Sequence, residues 1–314
     1  MLARVPMGDD EARRIENEDA EASEAVPKME RVLVFIDESP NAALASHLGG
    51  TFAAGRQLVT TVMPVPLENQ GTPPPQSLAD NVSRAAVAVD EHDRAAPPGS
   101  EAAAKPRLSL TELVSAKNAV TADEMATELV KGYSIVFAGI DQPVSATAQK
   151  FAGVLDSLIA TFQGPVAITL NGSRFNFESG RPLAILVPTG GTAQARLATE
   201  IALALAKATK GTLTVLHVFD PNEDTDFLRG RARRLGASVL VDARQLGKRS
   251  EVQVKALTAV DSRPEEAIRR AAAVGGYDLV IVGSSLHVGG SKFLGNRSAA
   301  LVRALRTPIL LIAQ

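Results

Sequence analysis

Short apolar runs alternate with helix-like segments along this chain, and the alternation is most regular from Pro182 to the last residue. Runs of roughly four to eight apolar, β-branched residues are typical of buried strands, whereas apolar residues three and four apart are typical of helices. The strand-like runs in this part are 183–187, 212–219, 252–260, 277–282 and 308–312. With helical patterns between them, they predict a mostly parallel, doubly wound α/β sheet.

The first half repeats the same order with less fidelity. Its strand-like runs are 31–36, 58–65, 108–114, 133–138 and 165–170, and its clearest helical patterns are 40–54, 121–131 and 144–160. A stretch rich in Pro, Gly and Ala, 66–106, stands where a second helix is expected, although its middle, 78–92, is compatible with a helix. The prolines of this stretch predict that it contains the least ordered part of the chain.

These patterns predict two domains in tandem, each with its own doubly wound, mostly parallel five-stranded sheet. An acidic N-terminal helix or linker, 1–30, precedes them. The first domain is 31–171, with the Pro-rich stretch 66–106 as an insertion, and the second domain is 181–314. A polar, turn-rich segment separates the two.

The composition excludes several classes of function. Lys and Arg number 33 against 35 Asp and Glu, so the net charge of −2 provides no basic surface for DNA or RNA, and nucleic acid is not an expected partner. The chain has no cysteine, and its 4 histidines lack metal-ligand spacing, so no metal site is predicted. No stretch has the apolar length of a membrane span or a signal peptide, which predicts a cytoplasmic protein.

The second half resembles the universal stress protein family over nearly its whole length. Two segments carry the resemblance, AILVPTGGTAQARLATEIALALAKATKGTLTVLHV (184–218) and YDLVIVGSSLHVGGSKFLGNRSAALVRALRTPILLI (277–312). The likeness implies an adenine-nucleotide alpha-hydrolase-like fold. In nucleotide-binding members of the family, the fourth strand is followed by Gly, two residues, Gly, nine residues, and then Gly with Ser or Thr.

By this likeness, Gly283 corresponds to the first glycine of the loop and Gly295 to the last. Leu286 stands at the second glycine position, and the loop is one residue shorter than the family pattern. Residues 296–298 occupy the place of the Gly-Ser step, while glycines at 289 and 290 can compensate for the missing one. The loop is therefore predicted to bind phosphate in a site that departs from the family's usual ATP site.

Thr189 stands where the family has an acidic residue after the first strand, whereas the first half keeps an acid there, Asp37. Asp37 either contacts ribose or adenine, or caps the helix that follows, a role for which Ser39 competes. After its fourth strand the first half contains Asp141 and Pro143, and there an acid repels phosphate while a proline removes an amide donor. The first half is therefore not expected to bind nucleotide.

A nucleotide site is predicted in the second half, because the first and fourth strands of a doubly wound sheet lie side by side and open at the same edge. Glycines allow close approach to phosphate, and amides at a helix N-terminus attract anionic oxygen. Adenine of ATP, ADP or AMP is expected near Val218 and Pro188, ribose near Thr189, and phosphates over 290–298 with Lys292 or Arg297 as the cation. The predicted nucleotide-binding residues are Pro188, Thr189, Gly190, Gly191, Val218, Gly283, Ser284, Ser285, Gly290, Ser291, Lys292, Gly295, Asn296, Arg297 and Ser298.

Three functions are compatible with these features. The favoured one is a non-enzymatic regulatory module that senses an adenine nucleotide. The second is a structural, dimerising module in which strands 165–170 and 308–312 pair across a subunit or repeat interface. The third is a hydrolase, ranked last because the chain has no P-loop sequence and no carboxylate pair for magnesium. For 283–298 an ordinary strand-to-helix connection is the alternative, and for His287 an exposed position is favoured over a catalytic role.

A second resemblance concerns the context of the chain. The opening segment, 4–50, and the last segment, 283–312, resemble the tandem universal stress domains that some bacterial monovalent cation:proton antiporters of the Kef type carry after their membrane domain. This likeness implies the cytoplasmic regulatory region of such an antiporter, tethered to the inner face of the cell membrane, or a soluble homologue of that region. A homodimer is expected in either case.

Overall fold

The computed structural model describes residues 29–65, 80–87, 89, 111–113, 122–147, 149–178, 181–221, 226–288 and 292–314. The acidic segment predicted at 1–30 lies outside these residues except at its end. Most of the Pro-rich stretch 66–106 also lies outside them, and the prediction about its order stays a prediction. Within that stretch, residues 80–87 form a helical segment.

The first half contains strands that alternate with helices, as its sequence pattern predicts. The strands are β1 (Arg31–Ile36), β2 (Val59–Pro64), β3 (Thr111–Leu113), β4 (Ile135–Gly139) and β5 (Val166–Leu170). Besides the 80–87 segment, the helices are α1 (Pro40–Arg56), α2 (Ala122–Leu129) and α3 (Gly153–Thr161). The helix predicted at 144–160 begins only at Gly153, because Val144 first pairs with Phe151 in a short antiparallel bridge.

The second half has the same alternation and one additional hairpin. Its strands are β6 (Ala184–Pro188), β7 (Thr212–Phe219), β8 (Val254–Val260), β9 (Leu279–Ser284), β10 (Leu286–Val288), β11 (Lys292–Leu294) and β12 (Ile309–Ala313). Its helices are α4 (Ala193–Ala208), α5 (Asp226–Arg249), α6 (Pro264–Val274) and α7 (Asn296–Ala304). The antiparallel hairpin β10–β11 lies inside 283–298, the segment for which the family likeness implies a loop.

One sheet runs through both halves, in the order β3-β2-β1-β4-β5-β12-β9-β6-β7-β8. Read from its two ends, each half has the same strand order, with its first strand between its second and fourth. β5 and β12 join the halves as antiparallel neighbours, with Leu170 opposite Ile309 and Val166 opposite Ala313. The other strand pairs of this sheet are parallel.

The mostly parallel α/β class is confirmed, but the expectation of two separate five-stranded sheets is wrong. β5 and β12 are buried along their whole lengths and would each leave an unpaired, apolar sheet edge. Pairing them inside one chain removes both edges. The boundary between two domains near 171–181 stays a prediction.

Helices cover both faces of the sheet. α1, α4 and α5 lie over one face, where side chains from both halves, among them Phe52, Ile201 and Leu240, form one continuous core. α2, α3, α6 and α7 cover the other face around residues such as Leu158 and Val302. In each half the chain therefore crosses from one face to the other, and this crossing leaves the carboxyl ends of two neighbouring strands open at one edge.

Candidate functional site

The two loops predicted to form the site leave the sheet at the same edge. β6 and β9 are parallel neighbours, with Leu186 opposite Val280. β6 ends at Pro188 and β9 ends at Ser284, so the loop 189–192 and the segment that begins at 285 start beside each other. This is the point at which the strand order of the second half reverses, where open α/β sheets bind ligands.

Thr189 is buried just beyond β6, and its backbone is held on both sides. Its N–H donates to the carbonyl oxygen of Leu216 at 2.9 Å, and its own carbonyl accepts from the Nδ1–H of His217 at 2.8 Å. Its hydroxyl accepts from the N–H of Gly191 at 3.4 Å. Gly191 has φ +76°, a conformation that favours glycine, whereas a Cβ added at Gly190 would meet no atom within 4 Å.

His217 supports the Thr189 loop, although the family likeness does not mark it as a site residue. It is buried near the end of β7, and its ring lies edge-on to Phe219 with the ring centroids 4.6 Å apart. Gly236 of α5 passes so close that a Cβ there would overlap the imidazole. Because side chains alternate along a strand, His217 lies on the same, core-facing side of β7 as Leu213 and Val215. A histidine at a core-facing strand position is the sequence feature that indicates such a supporting role.

On the other side of the site, Ser284 connects the end of β9 to the first turn of α7. Its hydroxyl donates to Oγ of Ser298 at 2.8 Å, and Ser284 is buried. Between these two residues, β10 and β11 pair with Leu286 opposite Leu294, and Leu294 is fully buried. The hairpin therefore anchors the segment that leads into α7.

The N-terminus of α7, like those of α3 and α6, has no side-chain cap. α1 and α4 are capped by Ser39 and Thr192, whose hydroxyls accept from amides of the first turn at 3.3 and 3.2 Å. α7 begins after Gly295, which has extended backbone angles of φ −62° and ψ 158° and no side chain to accept a bond. Amides in the first turn of an uncapped helix attract an anion, and Asn296 and Arg297 beside them are exposed.

Gly283 has a packing role that requires no ligand. A Cβ added there would overlap the carbonyl oxygen of Gln194 in the first turn of α4. Gly139, at the corresponding end of β4, has the same relation to the carbonyl oxygen of Asn41 in α1. Both glycines therefore allow a helix to lie close to the sheet, and this close approach accounts for the first glycine of the loop pattern in each half.

The remaining predicted residues divide into three groups. Pro188 is buried at the end of β6, and Val218 is half-buried at the face covered by α6 and α7. Ser285 is exposed beside Ser284. Gly290 and Ser291 lie outside the described residues, and for Lys292 only the backbone is described. The site prediction as a whole stays a prediction.

Asp37 in the first half is committed to backbone hydrogen bonds. It is buried, and its two carboxylate oxygens accept from the N–H groups of Ser39 at 2.7 Å and Asp141 at 2.6 Å. Ser39, rather than Asp37, caps α1. The carboxylate thus joins the loop after β1 to the loop after β4. These loops correspond in position to the two predicted site loops of the second half, but in the first half a side chain of the protein already connects them.

A cavity of about 320 Å³ lies on the other side of the Thr189 loop, between α4 and α5. Thr189, Gly191 and Arg196 line it on the α4 side, and Val239 and Asp242 line it on the α5 side. None of the described residues of 283–298 lines it. The cavity is therefore separate from the cleft between the two predicted loops, although it shares the Thr189 loop with that cleft.

Two further features of the described residues bear on function. Nowhere among them do three His, Asp or Glu side chains cluster in a way that could hold a metal ion. None of the helices in the same part of the chain is long and apolar enough to span a bilayer.

Comparison with known proteins places the sequence likeness in the second half. The model of the universal stress protein family matches residues 183–313. A universal stress protein of Thermus aquaticus is 32% identical to this chain over 133 residues, which make up 41% of this chain and 96% of that protein.

Solved structures extend the likeness in fold. The crystal structure of a universal stress protein from Archaeoglobus fulgidus matches with a TM-score of 0.52 at 17% identity, and the match covers 91% of this chain and 98% of that one. At this identity the match shows the fold alone, and it covers both halves. A family protein of Arabidopsis thaliana with AMP bound matches with a TM-score of 0.34 at 19% identity, over 42% of this chain and 92% of that one.

Proposed function

The chain belongs to the universal stress protein family, and we propose that it is a non-enzymatic regulatory module that binds an adenine nucleotide, ATP, ADP or AMP, in its second half. One observation carries the proposal: the uncapped N-terminus of α7 begins after Gly295 beside the sheet edge at which the Thr189 loop also opens. A helix N-terminus and an adjacent loop at the carboxyl ends of parallel strands suit a phosphate and its nucleoside.

In the proposed complex, the phosphates lie over the first-turn amides of α7, and ribose lies near Thr189. The adenine rests against Pro188 and Val218, which provide an apolar surface at the ends of β6 and β7. Arg297, which is exposed at the start of α7, and Lys292 on β11 supply positive charge. If these cations neutralise phosphate, replacement of Lys292 weakens binding in a manner that depends on ionic strength.

The first half serves a different purpose in this proposal. Its strand order matches that of the second half, which supports two universal-stress units in tandem. The carboxylate oxygens of Asp37 already accept hydrogen bonds from the backbone N–H groups of Ser39 and Asp141. The side chain of Asp141 also places a negative charge where a phosphate would have to lie. We therefore assign ligand binding to the second half alone.

The decisive experiment compares equilibrium titrations of ATP, ADP and AMP for the wild-type chain and for the Gly295→Val variant. Valine is compatible with the extended backbone angles of Gly295, but its branched side chain stands at the entrance to the first-turn amides of α7. We expect the dissociation constant to rise at least about tenfold, which corresponds to about 1.4 kcal/mol.

Gly153→Val is the matched control, because Gly153 opens α3, the corresponding helix of the first half, and a Cβ there meets no atom within 4 Å. It should leave the affinity unchanged. Equal affinity of the wild type and Gly295→Val, or a nucleotide located in the first half, would refute the placement. Mass spectrometry of any nucleotide released from denatured, purified protein would identify the natural ligand.

One specific observation, the antiparallel pairing of β5 with β12, supports the form of the structural alternative in which these strands pair across the repeat interface. This pairing uses, inside a single chain, the two strands that the sequence analysis assigned to an interface. A homodimer would therefore need another surface, and the described strand order leaves β3 and β8 at the two ends of the sheet. A chain that contains no nucleotide and binds none in titration would support this alternative over ligand sensing.

Association with a cation:proton antiporter, and tethering to the inner face of a membrane, stay proposals. They rest on the likeness of the opening segment 4–50 and the last segment 283–312 to the corresponding antiporter regions. Most of the opening segment before β1 lies outside the described residues. Co-purification of the tagged chain with an antiporter from membranes is the direct test.

A further inference from the structure

The first half reaches across the sheet to hold the start of α7. The segment that connects β4 to α3 contains a short bridge in which Val144 lies opposite Phe151. Next to Phe151, Lys150 pairs with Phe293 of β11 in an antiparallel bridge between the halves. The hairpin that leads into α7 is therefore joined by a single bridge to the loop between β4 and α3, at the same end of the molecule as the proposed nucleotide site.

Gln149 is the centre of this contact. Its carbonyl oxygen accepts from the N–H of Leu294 at 2.9 Å, and its side-chain Nε2–H donates to Oδ1 of Asn296 at 2.8 Å. These two partners flank Gly295, the residue at which α7 begins. One residue of the first half thus fixes the chain immediately before and immediately after the uncapped helix terminus.

Other contacts make α7 a rigidly seated element. Arg303, near the end of α7, donates from Nη1 to the carbonyl oxygen of Thr147 at 2.9 Å. Ser298 is held from within the second half by the hydroxyl of Ser284. The side chain of Asn296, by contrast, is held by the first half through Gln149.

The orientation of Asn296 matters because asparagine side chains readily bond to nearby backbone N–H groups at turns and helix starts. An Asn296 side chain that turned back on the first turn would compete with an anion for the same donors. By donating to Oδ1, Gln149 holds this acceptor away from the helix terminus. The amides of the first turn then stay available to a ligand.

We propose that Gln149 of the first half is a positioning residue for the nucleotide site of the second half. This inference rests on the proposed function. It gives the first half, which lacks a ligand site of its own, a direct part in binding: it pre-orients the phosphate-binding terminus of α7. Preorganisation of this kind lowers the ordering cost of binding and so raises the affinity.

The test compares Gln149→Ala with Gln253→Ala, an identical change at an exposed position of the second half in the turn before β8. Gln149→Ala removes the bond to Asn296 and leaves the backbone bond to Leu294 in place. Loss of one such hydrogen bond corresponds to an increase of roughly 3- to 10-fold in the dissociation constant for the nucleotide that the wild type binds best. Gln253→Ala should leave the affinity unchanged.

Gln149→Lys separates positioning from simple structural support. A lysine ammonium can still donate to Oδ1 of Asn296, so this variant should recover the affinity lost in Gln149→Ala, and the recovery should persist at high ionic strength. A ligand-free measurement accompanies it. Hydrogen exchange of a peptide that spans 294–304 should accelerate in Gln149→Ala and not in Gln253→Ala.

Each outcome decides a separate claim. If the wild type binds none of ATP, ADP and AMP, the proposed function fails, and the positioning role fails with it. If the wild type binds nucleotide and Gln149→Ala binds it equally well, the positioning role alone is overturned. The positioning role is also overturned if Gln149→Ala lowers both the nucleotide affinity and the thermal stability, and Gln149→Lys does not recover the affinity. Gln149 would then be only a structural contact.

Discussion

His47 makes the stability of this protein depend on pH below neutrality. The histidine lies on α1, and its ring contacts Phe175 and Phe177, with centroids 5.4 and 5.8 Å away. Burial lowers the pKa of His47 from 6.5 to about 4, because a charged imidazolium is poorly solvated there. Glu178 and Arg181 line the same small cavity, and none of the ion pairs between described residues involves His47.

The sign of the effect follows from which state binds the proton. Above pH 6.5 the ring is neutral in both the folded and the unfolded chain, so His47 makes no pH-dependent contribution. Between pH 6.5 and about 4 the unfolded chain takes up a proton that the folded chain does not, so the free energy of unfolding falls as the pH falls. At about 1.4 kcal/mol per pKa unit, the loss across the whole interval is about 3 kcal/mol.

The measurement is urea unfolding of the wild type, His47→Leu and His47→Gln at pH 7.5 and pH 4.5. Between these two pH values, His47 should account for roughly 2–3 kcal/mol of the wild type's loss in unfolding free energy, and both variants should lack this part. Leucine and glutamine differ in polarity but share the absence of a titrating ring, so agreement between them separates protonation from packing. The argument is refuted if the wild type and both variants lose the same amount of stability over this interval.

Two further predictions concern glycines of the candidate site. Gly283→Ala should lower the free energy of unfolding by roughly 1–3 kcal/mol in urea titrations, because its Cβ would overlap the carbonyl oxygen of Gln194; unchanged stability would show that the helix moves aside without cost. Gly191→Ala should lower the free energy of unfolding by about 1 kcal/mol, because Gly191 has a φ of +76°. At the neighbouring Gly190 an added Cβ meets open space, so Gly190→Ala should leave the free energy of unfolding unchanged or slightly higher. Equal effects at both positions would contradict the conclusion that the positive φ of Gly191 requires glycine.

The sequence predicted the elements that have a strong local signal. The run 31–36 coincides with β1, and the helical pattern 40–54 lies within α1, because an uninterrupted apolar run and a Ser-Pro helix start are local signals. The joining of the two sheets was not predictable in the same way. It depends on the pairing of β5 with β12, which are separated by more than a hundred residues. The apolar sequence of a strand shows that the strand is buried but does not show which strand it pairs with.

The candidate site shows the same division between local and non-local information. The likeness to the family pattern marked Gly283 as a phosphate-loop glycine, whereas the close approach of α4 already explains it. His217 and Gln149 escaped notice because their roles arise from contacts with residues remote in sequence, the carbonyl of Thr189 and the amide side chain of Asn296. Only the assembled sheet brings these pairs together.

The residue that follows the first strand differs between the halves, Asp37 in the first and Thr189 in the second. This difference supports the proposal that only the second half binds a ligand. In the first half the buried carboxylate of Asp37 accepts from amides on both loops, so those loops are tied together by the protein itself. In the second half a neutral residue, Thr189, stands at this position, and its hydrogen bonds to other described residues run within its own loop and to β7. Under the proposed function, a bound nucleotide takes the bridging place between the two loops of the second half that the Asp37 carboxylate has in the first half.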